Sequence, residues 1–514
     1  MGKQLVRSTG IVGGMTLISR VLGFLRDFAI AHAFGAGPHI DAFLVAFKIP
    51  NFMRRLFAEG AFSQAFIPIL AEYKRNAAHA HVQALINRVF GTLAGILLII
   101  TLIGVLAAPF IVTLFAPGFA HSGGERYRLA VDLLRWTFPY LFLISLTAFA
   151  SGILNTYGRF AIPSLAPALL NLSLIGSIGF MSWVTPPIFV LAFGVLLGGG
   201  LQLIFQLPHL KKINLMPKPI WDSRDEGVKR IIILMGPAIV GASVMQINLM
   251  VDTLFASFLP TGSVTWLYYT ERLLEFPLGT FGVALSTVIL PHLAETFAKK
   301  DYGHYCASID WALTWVLIIS LPATVGLVYL SFPIMMTLFQ YGAFTATDAL
   351  MASQSLMALG LGLSLFVSTK ILVSAFYAEQ NTRTPVKIAM IAMLVNVLFN
   401  ALLVYPLQHV GLALASTLSA AVNALLLLGC LLKSKRYQPQ MNWAPLFFKV
   451  VLSVGVMGIT LWALMPEQAF WESARFGDRA SELMLMVTGA ILVYIVALGC
   501  LGIRRQHLTL SYKH

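Results

Sequence analysis

The sequence predicts an all-α polytopic membrane protein with about fourteen transmembrane helices, arranged as two parallel six-helix lobes plus two C-terminal helices. Of its 514 residues, 58% are hydrophobic and only 11% are charged, whereas a soluble domain carries about 25% charged residues. Apolar runs of about 20 residues, long enough to cross ~30 Å of hydrocarbon as helices, recur from end to end. A transmembrane barrel would need short segments of alternating polarity instead.

The apolar runs place the individual helices. Glycine and proline are frequent inside the runs, which membrane helices tolerate. The predicted spans are 8–33, 40–71, 83–116, 125–154, 160–183, 187–208, 226–258, 265–295, 303–338, 345–378, 384–406, 410–432, 443–465 and 481–503.

The formal net charge of +14 reports the topology of the chain. Basic residues cluster after even-numbered spans, hence on one side of the membrane, and the positive-inside rule makes that side the cytoplasm. We therefore expect both termini in the cytoplasm and no nucleic-acid partner. The clusters include Lys74, Arg75, Arg159, Lys211, Lys212, Lys299, Lys300, Lys433 and Lys435. The opposite loops that hold Arg126, Arg128, Arg475 and Arg479 are exceptions, but each also contains acidic residues.

The sequence contains no pattern that is typical of an enzyme. Cys306, Cys430 and Cys500 are scattered without paired spacing, which favours packing residues over a disulfide or a metal site. A Walker loop, a zinc-ligand spacing and a nucleophile elbow are all missing from the sequence. These observations predict a transporter without a cofactor or bound metal, and they leave a coupling ion open.

An internal repeat organises the spans. The stretch "AFSQAFIPILAEY" at 61–73 matches "ALSTVILPHLAET" at 284–296, and "PFIVTLFAPG" at 109–118 matches "PIMMTLFQYG" at 333–342. The separation is nearly the same in both cases, which indicates duplication. Each copy contains six spans, so the copies are parallel and related by an axis along the membrane normal.

The repeat predicts three regions. Residues 1–220 form an N-terminal lobe, 221–436 a C-terminal lobe, and 437–514 two further helices with a cytoplasmic tail. Two-lobed transporters of this kind work by alternating access around a central site.

Charged residues inside the apolar spans are the main functional signal. In "SRVLGFLRD" at 19–27, Arg20 and Asp27 point within ~20° of each other on a helix, and Arg26 points about 100° to the side. Asp41, Lys48, Arg54, Arg55 and Glu59 lie in the second span, Asp252 in the seventh, Glu271, Arg272 and Glu275 in the eighth, and Lys370 in the tenth.

These charges have two interpretations. The first is structural salt bridges, because an arginine at the bilayer centre costs ~2.5–3.5 kcal/mol without a partner. The pairs would be Arg20 with Asp27, Lys48 with Asp41, and Arg272 with Glu275. The second is an anion site, because cations outnumber acids in the first two spans. Arginine suits phosphate oxygens especially well, so a phosphate-bearing substrate is the sharper hypothesis.

Several motifs resemble one family of bacterial transporters. "SRVLGFLRD", "DAFLVAFKIPNFMRRLFAEGAFSQAFIPILAEY" (41–73), "GSVTWLYYTERLLEFPLG" (262–279) and "LFQYGAF" (338–344) are similar to the MurJ (MviN) lipid II flippases. These belong to the multidrug/oligosaccharidyl-lipid/polysaccharide exporter superfamily. The resemblance implies transport of undecaprenyl-diphosphate-linked peptidoglycan precursor to the outer leaflet of the cytoplasmic membrane, for cell wall synthesis, by a monomer.

The resemblance also implies roles for individual residues. Arg20, Arg26, Arg54 and Arg272 would bind the diphosphate of lipid II, and the last two helices would hold its polyprenyl tail. The supporting charges would be Asp27, Asp41, Lys48, Arg55, Glu59, Glu275 and Lys370. Asp252 and Glu271 receive no role.

The residues leave two other transport functions open and give no support to an enzyme. A flippase for another lipid-linked oligosaccharide would use the same cationic site. A multidrug antiporter of the same superfamily would share the repeat, but a cationic drug favours an acidic cavity. A membrane glycosyltransferase or lipid phosphatase would need acidic or catalytic motifs in its loops, and the sequence shows none.

Overall fold

Helices form nearly all of the structure, a computed structural model. It describes the backbone of residues 2–503, and the side chains of 13–503 apart from 58–59, 240–242, 244–245 and 248–249. No strand occurs in this part of the chain, and the predicted all-α membrane fold is confirmed. Two compact units make up the chain, residues 1–264 and residues 265–514.

The first unit contains eleven α-helices and one π-helical segment among its described residues. The α-helices are α1 (Gly2–Phe34), α2 (Pro38–Met53), α3 (Ser63–Asn76), α4 (His79–Leu106), α5 (Ala108–Phe115), α6 (Pro117–Ser122), α7 (Glu125–Thr137), α8 (Tyr140–Thr156), α9 (Ala161–Ile178), α10 (Phe189–Lys212) and α11 (Glu226–Ala256). The π-helical segment, Arg54–Phe62, joins α2 to α3.

The second unit begins within the next helix. Its α-helices are α12 (Ser263–Pro277), α13 (Val283–Ala298), α14 (Tyr302–Tyr329), α15 (Ser331–Phe339), α16 (Ala346–Gly360), α17 (Leu363–Ala378), α18 (Arg383–Lys433), α19 (Trp443–Leu464), α20 (Gln468–Ser473) and α21 (Phe476–Cys500). A second π-helical segment, Leu278–Gly282, joins α12 to α13.

The lengths of these helices suit a membrane. Over the part of the chain that the structure describes, nine helices are long and apolar enough to cross a bilayer, or ten if the bent pair α16 and α17 counts as one span. Fourteen spans therefore remain a prediction. Within α18, Gln408 has φ 50° and ψ −129°, so two helices meet there. This break lies between the predicted spans 384–406 and 410–432.

Four of the predicted spans contain a break in the structure. The predicted helix 83–116 breaks at Ala107, 125–154 near Phe138, 303–338 at Leu330, and 345–378 between Gly360 and Leu363. Pro139 follows the second break, and a proline cannot supply the backbone N–H that a continuous helix needs. Hydropathy does not register such breaks because the residues on both sides are equally apolar.

The two π-helical segments occupy the same place in the sequence repeat. Shifted by the 223 residues that separate Ala61 from Ala284, the first segment covers 277–285, a range that includes the second segment. A π-helical turn is rare and often marks a functional position. The duplication has therefore kept a local backbone geometry as well as a sequence pattern.

Aromatic side chains pack α4, α8 and the end of the first π-helical segment together. The rings of Phe62 and Phe66 stack at 5.0 Å between centroids, and Phe149 of α8 lies 5.1 Å from Phe66 and 5.7 Å from Phe90 of α4. Phe62, Phe66 and Phe149 are all buried. The cluster fixes the end of the first π-helical segment against α4 and α8.

Two buried acids anchor the linker between α18 and α19 in the second unit. Asp310 of α14 accepts hydrogen bonds from the Tyr437 hydroxyl at 2.5 Å and from the Gln440 N–H at 2.8 Å. Glu379 accepts hydrogen bonds from Arg436 and, at 3.0 Å, from the Tyr305 hydroxyl. The pKa of Tyr437 is raised well above its usual range by burial and by the Asp310 carboxylate. These hydrogen bonds hold the linker between α18 and α19 against α14.

Arg479 fastens α21 to two helix ends. It is 4% exposed. Its Nη1 donates hydrogen bonds to the Met336 carbonyl at 3.2 Å and to Gln340 Oε1 at 2.6 Å, and its Nη2 donates to the Glu472 carbonyl at 3.0 Å. Met336 and Glu472 lie in the last turns of α15 and α20, where carbonyls lack helical partners and carry partial negative charge. A structural role thus explains a basic residue that the positive-inside rule did not.

Candidate functional site in the buried charges

Arg26 is buried in the first unit, at 7% exposure, and two side chains hold it. Its Nε and Nη2 donate hydrogen bonds to Oδ1 of Asp27, at 2.9 and 2.5 Å. Its Nη1 donates to Oδ1 of Asn171 on α9 at 2.9 Å, and Nδ2 of Asn171 donates to the Ser19 carbonyl at 3.1 Å. The guanidinium is therefore oriented between α1 and α9.

This arrangement changes one expected pairing. The sequence expectation joins Arg20 to Asp27, whereas the structure joins Arg26 to Asp27. The long arginine side chain reaches round the helix to its neighbour, which a helical wheel does not anticipate. Arg20 is exposed and makes no hydrogen bond or ion pair within the described residues. Asn171 thus forms hydrogen bonds between α9 and α1.

Asp41 is completely buried in the first turn of α2 and contacts a distant loop. Its Oδ2 accepts a hydrogen bond from the Gly262 N–H at 2.7 Å. Gly262 has φ +96°, a conformation that glycine adopts at little cost. The sequence did not reveal this contact, because Gly262 lies 221 residues away. The only available signal was a glycine in a short loop.

The expected pairing of Asp41 with Lys48 is wrong. Lys48 is half-buried and makes no ion pair among the described residues. Seven residues rise ~10 Å along a helix, so residues at this spacing share a face without touching.

Arg54 and Arg55 open the first π-helical segment, and both are half-buried. Nε of Arg54 donates to Asn51 Oδ1 at 3.4 Å, and Nδ2 of Asn51 donates to the Phe47 carbonyl at 3.0 Å. Because a π-helical turn is wider than an α-helical turn, the residues after Arg54 do not continue the α-helical spacing of α2. The side chain of Glu59 lies outside the described residues.

Arg272 is the principal predicted cation of the second unit. Its Nη1 donates a hydrogen bond to Glu275 Oε2 at 3.0 Å, so the expected pair is present. Its guanidinium also lies 5.1 Å from the ring centroid of Tyr268. The two side chains of the ion pair are 37% and 56% exposed. Exposed pairs contribute only about 0–1 kcal/mol, so an anionic ligand can replace Glu275 at little cost.

The remaining predicted charges are distributed over both units. Lys370 is half-buried on α17 and makes no ion pair among the described residues. The same helix packs beside the second π-helical segment, where a Cβ on Gly282 would meet Val367 at 3.5 Å. Asp252 on α11 and Glu271 on α12 are also half-buried. No cluster of potential metal ligands was found among the described residues.

The fold and these charged groups together define a polytopic helical transporter. An inward-facing multidrug resistance MATE family transporter of the MOP superfamily shares the fold, with a TM-score of 0.67 and 16% identity, covering 83% of this chain and 98% of that chain. The chain belongs to the lipid II flippase MurJ family, whose sequence model matches residues 30–474. It is thus a transporter rather than an enzyme, as the sequence predicted.

Individual members of the family align with this chain over nearly its full length. A probable lipid II flippase MurJ of Haemophilus influenzae is 44% identical over 507 residues, which are 96% of this chain and 99% of the relative. The solved structure of a lipid II flippase MurJ in an inward closed conformation has a TM-score of 0.79 and 27% identity, covering 95% of this chain and 98% of that chain.

Proposed function

We propose that this protein transports lipid II from the inner to the outer leaflet of the cytoplasmic membrane by alternating access, and so supplies precursor for cell wall synthesis. The observation that carries this proposal is the family match over residues 30–474, together with relatives aligned from end to end. The protein is a multi-pass protein of the inner membrane. The proposed orientation places both termini in the cytoplasm.

Diphosphate recognition is assigned to Arg20, Arg26 and Arg54 in the first unit and to Arg272 in the second. Arg26 is oriented in advance by Asp27 and Asn171, which lowers the entropy that ligand binding must overcome. Arg20 is exposed, and the ion pair between Arg272 and Glu275 is exposed on both sides. Arginine forks bind phosphate oxygens in two parallel hydrogen bonds, so these side chains match a diphosphate.

The supporting acids have a different task in this proposal. Asp27 orients an arginine and Asp41 holds a loop; neither would contact the diphosphate, which carries the same sign of charge. Lys48, Arg55 and Lys370 add positive potential. The proposed transporter acts as a monomer, without a cofactor or nucleic-acid partner.

Complementation in a bacterium depleted of its own lipid II flippase tests this function. A membrane-impermeant probe would measure lipid II on the outer leaflet after expression of the wild type, Arg26→Glu or Arg272→Glu. We expect the wild type to restore exposure of lipid II and each charge reversal to lower it at least tenfold. Arg159→Glu, on an exposed loop residue, is the matched control and should transport normally.

The outcomes separate the proposal from its alternatives. Normal flipping by both charge-reversal variants, at equal amounts in the membrane, would refute the assigned site. Failure of the wild type with lipid II but export of another lipid-linked oligosaccharide would change the substrate. Drug resistance without lipid II transport would indicate a multidrug antiporter.

A further inference from the structure

An apolar cavity of about 280 Å³ lies inside the first unit, and none of the charged residues described above is among the described residues that line it. It is enclosed by the first π-helical segment, α4, α8 and α11, and its wall is built from aliphatic and phenylalanine side chains. Of the described residues that line it, none is charged and only Thr92 and Ser145 carry a hydroxyl group. The cavity therefore suits hydrocarbon and excludes a charged headgroup.

Ser145 is the feature that points to a ligand. It is 3% exposed, it lines the cavity, and its Oγ has no hydrogen-bond partner within the described part of the chain. A buried hydroxyl without a partner is unfavourable. The other hydroxyl, on Thr92, already accepts a hydrogen bond from the Asp222 N–H at 3.3 Å. A ligand that carries an acceptor beside an apolar chain would satisfy Ser145.

The level of Ser145 follows from the packing of α4 against α8. Phe149 lies 5.7 Å from Phe90, and Gly104 lies against Phe138, so α4 and α8 are antiparallel. Ser145 precedes Phe149 by one turn on α8 and is therefore about level with Gly95 on α4. At Gly95 a Cβ atom would lie 1.8 Å from the ring of Trp221. Trp221 is 57% exposed, and tryptophan concentrates at the membrane–water interface. Ser145 thus lies at about the level of Trp221, an exposed residue of a type that favours the membrane–water interface.

The rim of the cavity continues into the outer apolar surface. Ile96 and Ile232 line the cavity and are 38% and 45% exposed. Gly236 also lines it and is exposed, and a Cβ on Gly236 would have nothing within 4 Å. In a membrane-embedded chain such exposed isoleucines face lipid. A hydrocarbon chain can therefore enter from the bilayer.

We infer that this cavity binds one acyl chain of a membrane glycerophospholipid, with the ester carbonyl of the lipid accepting a hydrogen bond from Ser145 Oγ–H. A polyprenyl chain has no ester carbonyl. Its diphosphate would need cations, and the described lining supplies none. The site is thus separate from the recognition of the transported lipid.

Photo-crosslinking in lipid nanodiscs tests the inference. The probe is a phosphatidylglycerol with a diazirine in one acyl chain, and mass spectrometry locates the labelled peptides. We expect labelling at 89–100 and 228–239. Gly236→Leu, which fills the open space, should lower it at least fivefold, and Ser145→Ala should lower it about threefold. Gly200→Leu is the matched control, because a Cβ on Gly200 also meets nothing within 4 Å, and it should leave labelling unchanged.

A second probe distinguishes the two sources of hydrocarbon. A polyprenyl diphosphate with a diazirine in its chain should label these two segments weakly, and stronger labelling by it than by the phospholipid would overturn the inference. Phospholipid labelling that is insensitive to Gly236→Leu would do the same. If Gly236→Leu elutes as misfolded protein, Ser145→Ala decides, because it removes the hydroxyl and adds no atoms; labelling as strong as in the wild type would overturn the inference. Transport assays do not enter this test, so failure of the proposed function would leave its result intact.

Discussion

Arg26 and Asp27 form a buried ion pair between neighbouring residues of one helix, with two hydrogen bonds converging on a single carboxylate oxygen. Asn171 on α9 accepts the third hydrogen bond of the guanidinium. Burial raises the cost of separating the pair, because each charge would then lack a partner in a poorly polar environment. The pair therefore positions the arginine as well as neutralising part of its charge.

Removal of the acid should destabilise the protein. We expect Asp27→Ala to lower the free energy of unfolding by about 3–5 kcal/mol, because it removes the carboxylate that pairs with a buried guanidinium. Thermal unfolding in detergent, followed by fluorescence, measures the effect. The double variant Arg26→Met/Asp27→Ala should lose less than the sum of the single losses.

An exposed ion pair is the control for this cycle. Lys299 and Glu295 lie 2.6 Å apart with side chains 67% and 61% exposed, and Glu295→Ala should cost about 0–1 kcal/mol. If the losses in unfolding free energy caused by Arg26→Met and Asp27→Ala simply add in the double variant, the two side chains are not energetically coupled.

The sequence predicted which charged residues lie within the long apolar helices, but neither which of them are buried nor all of their partners. Helical spacing identified the group around Arg20 and Arg26, and the pair Arg272 with Glu275 is local enough to be read from its three-residue spacing. Asn171 and Gly262 contribute from 145 and 221 residues away. Such contacts depend on tertiary packing, which one sequence without a structure does not specify.

Asp41 should stabilise the loop before α12. Asp41→Ala leaves the buried Gly262 N–H without its acceptor, and we expect a loss of about 1–3 kcal/mol in unfolding free energy. Asp41→Asn keeps an acceptor oxygen and should lose less. Thermal unfolding of both variants tests the difference. Asp132→Asn, which alters an exposed pair with Arg135, is the control, and an Asp41→Ala variant as stable as this control would contradict the role of the contact.

Arg479 should be indispensable for the packing of α21. Arg479→Met keeps much of the apolar volume but leaves the Met336 and Glu472 carbonyls without a donor, so we expect a loss of about 3 kcal/mol or more. Arg479→Lys keeps the charge without the planar fork and should fall in between. Arg475→Met changes an exposed residue four positions earlier and should stay within about 0.5 kcal/mol of the wild type. Thermal unfolding measures these stabilities. Equal stability of Arg475→Met and Arg479→Met would refute the proposed packing role of Arg479.

The π-helical segments show where hydropathy stops being informative. The sequence predicted continuous helices over 40–71 and 265–295. The residue types in Arg54–Phe62 and Leu278–Gly282 do not indicate a π-helical turn. The repeat nevertheless aligned the two regions through Ala61 and Ala284. Sequence duplication therefore predicted that the segments correspond, and the structure supplied the geometry they share.

Asp301 should make the stability of α14 depend on pH. Its carboxylate accepts hydrogen bonds from the His304 N–H at 3.1 Å and from the His304 ring at 2.6 Å, and these contacts lower the pKa of Asp301 in the folded protein. A lowered folded pKa gives stability that is present above the unfolded value of about 3.9 and is lost as the pH falls through the folded value.

We therefore expect wild type to be more stable than Asp301→Asn between pH 5 and 7, roughly constantly, and the difference to vanish below a pH of about 4. Thermal unfolding of the two proteins across this range measures it. Glu467→Gln is the matched control, because Glu467 occupies the N-cap of α20 without a capping hydrogen bond from its side chain. A stability difference for Asp301→Asn that grows as the pH falls would contradict the assignment, since it would require a carboxylate that is more stable protonated in the folded state.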